Sequence, residues 1–132
     1  YEEIGTHPAA NHNAIAAAMA FHRGIGAERK AARLRWLRDR WAKRLQAASP
    51  RVKILTPLND TDSCAIGFVH VEGLDTEKLQ AHLWEKHRIM TTPIDHPEFN
   101  GLRITPNVYT MPGEVDQFCD RMEKILKDGL PA

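Results

Sequence analysis

The sequence predicts an α+β domain: a small, mostly antiparallel sheet with helices packed on one face, preceded by two N-terminal helices. Two observations predict it. Segments with apolar residues at three- and four-residue steps alternate with short runs rich in β-formers, in the order helix, helix, strand, strand, helix, strand, strand, helix. The strand candidates are short, which suits antiparallel pairing with helices segregated to one face.

Each element has local grounds. Residues 1–8 read as an extended loop. Asn11–His22 is Ala-rich, with Ile15, Ala18, Met19 and His22 on one helical face and Ala14, Ala17 and Phe21 beside it. So wide an apolar arc needs cover on more than one side. Gly24 is placed to stop this helix. A second helix runs from Ala27 to Ala48 on Leu34, Leu37, Trp41 and Leu45, and Ser49-Pro50 ends it. Val52–Leu55 and Cys64–Val71 read as strands around a polar loop, Pro57 to Ser63. Asp75 caps a helix reaching His87, with Leu74 and Leu79 set for a hydrophobic staple. Arg88–Thr92 and Gly101–Thr105 are the remaining strand candidates. Thr110 caps a last helix whose stripe is Val115, Phe118, Cys119, Met122, Ile125 and Leu126, and Gly129 and Pro131 end it.

The chain has 132 residues, 42% hydrophobic and 27% charged, with a net charge of +1. That balance suits one soluble domain and gives no reason to expect nucleic acid or a membrane. No run approaches the roughly 18 apolar residues of a membrane span. Cys64 and Cys119 are two isolated thiols, neither a disulfide framework nor a metal site, and they suit a reducing, cytoplasmic setting. The chain opens at Tyr1 without a Met, which reads as a piece of something longer.

Three stretches, in this order and spacing, carry a resemblance. They are Glu3-Ile4-Gly5-Thr6-His7-Pro8, then Ile25-Gly26-Ala27-Glu28, then Gly101-Leu102-Arg103-Ile104-Thr105-Pro106-Asn107-Val108-Tyr109-Thr110 followed by Glu114-Val115-Asp116. Together they resemble the C-terminal third of class V aminotransferases, which are fold-type I enzymes dependent on pyridoxal 5'-phosphate (PLP). The subgroup most similar contains isopenicillin-N epimerase-like proteins.

The resemblance implies a division at residue 24. Residues 1–24 would be the loop and connecting helix from a large PLP-binding domain, and residues 25–132 the C-terminal small domain. It implies that Gly5 and Thr6 reach the PLP phosphate of a neighbouring subunit, and hence a homodimer. A hydroxyl and backbone N–H groups suit an anion, and Gly5 permits close approach. It implies that Arg103 holds the α-carboxylate of an amino-acid substrate through two parallel hydrogen bonds. Asn107 and Tyr109 would shape the turn into the last helix, and His96 would lie in a loop, Thr91–Phe99, over the site.

The resemblance also implies what is missing. The lysine that anchors PLP and the aspartate facing its ring nitrogen belong to the large domain. No lysine here stands in such a context, so no catalytic residue is expected in this chain and the chain alone should be inactive. Its first helix, without large-domain cover, should be mobile, swapped or buried against another copy. Cysteine desulfurases of the family carry a nucleophilic cysteine before the substrate arginine. Arg88 to Gly101 contains none, so desulfuration is not expected, while transamination and epimerisation both remain open. Cys64 and Cys119 read as small buried hydrophobes.

Two other readings compete. Residues 29–44 hold eight basic residues, opposed within the stretch by Asp39 and accompanied by Trp36 and Trp41. Helix 27–48 could then bind nucleic acid or an anionic surface, against the plainer reading of a solvated face with Trp41 in the core. The chain could also be a free-standing α+β module that binds an amino acid through Arg103.

Overall fold

The computed structural model describes residues 8–131. The elements are α1 (Ala9–Ile25), α2 (Ala27–Ala48), β1 (Val52–Ile54), β2 (Gly67–Val71), α3 (Thr76–His87), β3 (Thr92–His96), β4 (Phe99–Ile104) and α4 (Pro112–Asp128). The four strands form one antiparallel sheet in the order β1-β2-β4-β3. The α+β class and the sheet's antiparallel pairing are as the sequence predicts.

Period-two alternation divides the sheet's two faces. Val52, Val69, Val71, Leu102 and Ile104 are buried and join the core. Their neighbours Lys53, Phe68, His70 and Arg103 take the other face, as a pleated strand requires. Leu37, Trp41 and Leu45 of α2, Leu79 and Leu83 of α3, and the stripe of α4 complete one core. Trp41 is its keystone: Gly67 lies flat under the indole, where any Cβ would overlap the ring. Phe118 meets the other side edge-on, with ring centroids 6.2 Å apart. Gly101 plays the same part within the sheet, because a Cβ there would overlap the Val69 carbonyl of β2.

Helix ends follow local chemistry. Asp75 accepts from the Lys78 N–H at 3.0 Å, the cap the sequence predicts. Gly129 closes α4 at a φ of 82°. Several expectations need correction. α1 is longer than Asn11–His22 and runs through Gly24; Gly26, at a φ of 85°, makes the break. α4 starts one residue later than a Thr110 cap allows. Thr110 Oγ1 is taken by the Asn107 N–H at 2.9 Å, and Glu114 reaches back to the Met111 N–H at 2.7 Å.

The strand expected at Arg88–Thr92 lies four residues later. Residues 88–91 form a loop, and β3 pairs with β4 through a hairpin whose tip is Pro97-Glu98. Pro93 is tolerated in β3 because β3 is an edge strand, where a proline can sit with its missing N–H away from the ladder. His96 consequently ends β3 and stacks on Phe99 instead of lying in a loop. β2 begins at Gly67, so Cys64 sits half-buried in the preceding loop, not in a strand.

α1 contains no buried residue; Ile15 is 58% exposed and Phe21 64%. The wide apolar arc therefore has no cover among the described residues.

Gly101→Ala should lower stability by about 1–3 kcal/mol, the scale of overpacking against backbone. A urea unfolding midpoint equal to the parent's would contradict the close β2–β4 approach.

Candidate functional site

Arg103 occupies the middle of β4 on the face away from the helices. Its cross-strand neighbours are Phe68 on β2 and Thr92 on β3. The guanidinium is exposed, and its Nη2 donates a long hydrogen bond of 3.4 Å to Thr92 Oγ1. It makes no ion pair among the described residues. Phe68 meets Phe99 edge-on at 5.6 Å, so aromatic surface flanks the cation. A planar cation on an open face, with no acid holding it, can take a carboxylate in two parallel hydrogen bonds.

The basic residues of α2 are differently disposed. Arg40 grips Asp116 with Nε and Nη2, both at 2.7 Å. Arg44 holds Glu123 with two hydrogen bonds and also reaches Asp120. Arg35 pairs with Asp60, and Lys43 with Asp39. Arg38 is fully buried, so it is no part of a solvated face. It donates twice to Asp39 and once to Ser63 Oγ, tying the Pro57–Ser63 loop to the helix. Five of the eight cations are thus paired with acids within the fold, while Arg29, Lys30 and Arg33 form no ion pair among the described residues. The acids that answer Arg40 and Arg44 lie on α4, about 76 residues away, where no local pattern reveals them.

Gly5 and Thr6 lie outside the described residues. Asn107 and Tyr109 sit in the turn before α4; Tyr109 is exposed. A cavity of about 320 Å³ lies between residues 87–91 and the start of α4, lined by Trp41, Thr91, Pro106 and Phe118 among others. Arg103 is not among its lining residues, so this cavity is separate from the candidate carboxylate site. Trp41 Nε1 and Thr91 Oγ1 are buried without a hydrogen-bond partner among the described residues.

Burial pushes the Cys119 thiol up to about 11, which leaves it protonated and unreactive. Among the described residues no group of three or more His, Cys, Asp and Glu is arranged to hold a metal ion, and no helix is long and apolar enough to cross a membrane.

Comparison with known proteins places this geometry. The model of the family "Aminotransferase class I and II" matches residues 7–122. The isopenicillin N epimerase of Streptomyces clavuligerus is 36% identical over 105 residues, covering 77% of this chain and 25% of that protein. The apo cysteine desulfurase of Thermococcus onnurineus NA1 superposes with a TM-score of 0.83 at 26% identity, over 97% of this chain and 33% of its own. The tryptophan decarboxylase of Catharanthus roseus, at 16% identity and a TM-score of 0.64, shares the fold over 80% of this chain and 24% of its own. The chain belongs to the aminotransferase class I and II family, and its architecture is that of a fold-type I PLP enzyme. It spans about a quarter to a third of the length of these relatives.

The ion pairs make acid stability testable. The two bonds from Arg40 hold the Asp116 carboxyl below its ordinary 3.8. Burial pushes Asp39 up, but hydrogen bonds from Lys43 and Arg38 outweigh it, and the net direction is down. Both groups are depressed in the folded state. Their contribution is therefore full above 3.8 and is lost as pH falls through the folded values. Asp116→Asn should lower Tm at pH 7 and flatten its decline below 3.8. A mutant whose Tm falls as steeply with acid as the parent's would contradict the Arg40–Asp116 linkage.

Proposed function

We propose that this chain is the C-terminal domain of a PLP-dependent enzyme acting on amino acids, in the class V, isopenicillin-N epimerase-like subgroup. One observation carries the reading: Arg103 is an exposed cation without an acid partner among the described residues, on the sheet face the helices leave open. The match to the aminotransferase family and the 36% identity to an epimerase support it.

The described residues fit the substrate side of such a site and not its cofactor anchor. Lys30 and Lys43 lie on α2, Lys78 and Lys86 on α3, Lys124 and Lys127 on α4, and Lys53 on β1. None lies on the open face except Lys53, which donates to the Pro50 carbonyl and pairs with Glu72. When bound, PLP supplies an electron sink for charge at the substrate α-carbon. Arg103 fixes the α-carboxylate, and with it the direction of the bonds around that carbon. Gly5 and Thr6 hold the PLP phosphate of a neighbouring subunit, which makes the working enzyme a homodimer. The bare apolar arc of α1 seats on the large domain, with Gly26 as the joint between residues 1–24 and the small domain. The chain alone is inactive because the anchoring lysine lies elsewhere. Transamination and epimerisation both suit this arrangement.

Within the enzyme that carries this domain, Arg103→Ala should reduce kcat/KM by about 2–4 kcal/mol of transition-state stabilisation, the scale of a lost charge-pair contact. An unchanged kcat/KM would remove Arg103 from the site. Thr6→Ala should speed loss of PLP on dialysis, and retention equal to the parent's would remove Thr6.

A further inference from the structure

On the helical side of the domain, α3 and α4 border a groove of about 430 Å³ whose lining does not include Arg103. Its charged and titratable lining is His82, Lys86 and His87 from α3, with Arg121, Lys124 and Asp128 from α4. Three permanent cations and two imidazoles thus face one carboxylate. None of Lys86, Arg121, Lys124 and Asp128 forms an ion pair among the described residues. The contrast with α2 is direct, because there the fold supplies an acid for most of its cations. The geometry points to this groove as a binding site for a small, soluble, multiply charged phosphate anion.

Helix-dipole complementarity does not account for the cluster. Basic residues in the last turn of a helix offset its negative end, and Lys86 and His87 hold that place in α3. Arg121 lies two turns before the end of α4, beyond the reach of that effect. The crowding has a consequence in the groove itself. Partial burial, then repulsion from Arg121, His82 and Lys124, pushes the His87 imidazole below its ordinary 6.5. The His82 ring stands edge to face with that of His87 in the same groove, 5.3 Å between centroids. An anion in the groove would relieve the repulsion at His87, and its binding is therefore linked to uptake of a proton by that ring. Pyrophosphate, with several oxygens and more than one charge, can meet Arg121 in a bidentate fork and Lys86 and Lys124 as point charges. The Ile125 side chain at the base of the groove is buried, which limits competing water on that side.

The test is an NMR titration of the histidine rings in this chain, at fixed ionic strength, with chloride or with inorganic pyrophosphate. The expected result is a rise in the apparent pKa of His87 by about half a unit or more with pyrophosphate, the shift an adjacent opposite charge produces. His12 and His96, outside the groove, should not move. Arg121→Gln with Lys124→Gln should abolish the rise while circular dichroism stays at the parent's. No rise at His87, or an equal rise at His12 and His96, would overturn the site. Vesicles containing phosphatidic acid form a second arm. Co-sedimentation at physiological salt, lost in the double variant and undisturbed by free pyrophosphate, would reassign the groove to a lipid headgroup and overturn the soluble-anion proposal.

Discussion

The indole of Trp41 is the contact on which the rest of the architecture depends. It lies on Gly67 of β2 and meets Phe118 of α4, so one side chain fixes the distance from helix to sheet and from helix to helix. Burying a group of this size stabilises by several kcal/mol, and its loss would leave a cavity bordered by three elements. Because α2 seals one face of the sheet, period-two alternation sends every second residue of β2 and β4 to the other. Arg103 is among them. Its exposure follows from the packing of a tryptophan on the opposite side of the sheet.

Charge is partitioned in the same way. The cations of α2 meet acids from α4 and from the Pro57–Ser63 loop, and these pairs bind the helical layer together. Exposed pairs of this kind each add little, but bidentate geometry and a shared arginine raise their joint effect. Arg38, buried and bonded to Asp39 and Ser63, ties the loop to the helix, and removing Asp39 would strand its buried charge. Two of the cationic places outside this scheme are central to the functions proposed. One is Arg103 on the open sheet face, and the other is the groove between α3 and α4.

Much of this was legible in the sequence where the cause is local. The bounds of α2 follow from its apolar spacing and from Ser49-Pro50. The Asp75 cap follows from one side chain and a backbone N–H three residues away. Misreadings arose where a distant residue decides. The hydroxyl of Thr110 looked free to cap α4, but Asn107 claims it. The burial of Arg38 depends on a loop more than twenty residues further on. As to the site, the outward position of Arg103 follows from alternation around Leu102 and Ile104, whereas its lack of an acid partner emerges only from the packed structure.

The most direct measurement is a crystal structure of the enzyme carrying this domain, bound to a non-reactive amino-acid analogue. The account expects the analogue's α-carboxylate within about 3 Å of two nitrogens of Arg103, the bidentate hydrogen-bonding distance. A carboxylate held by other residues, with Arg103 turned to solvent or paired to an acid of the large domain, would contradict it.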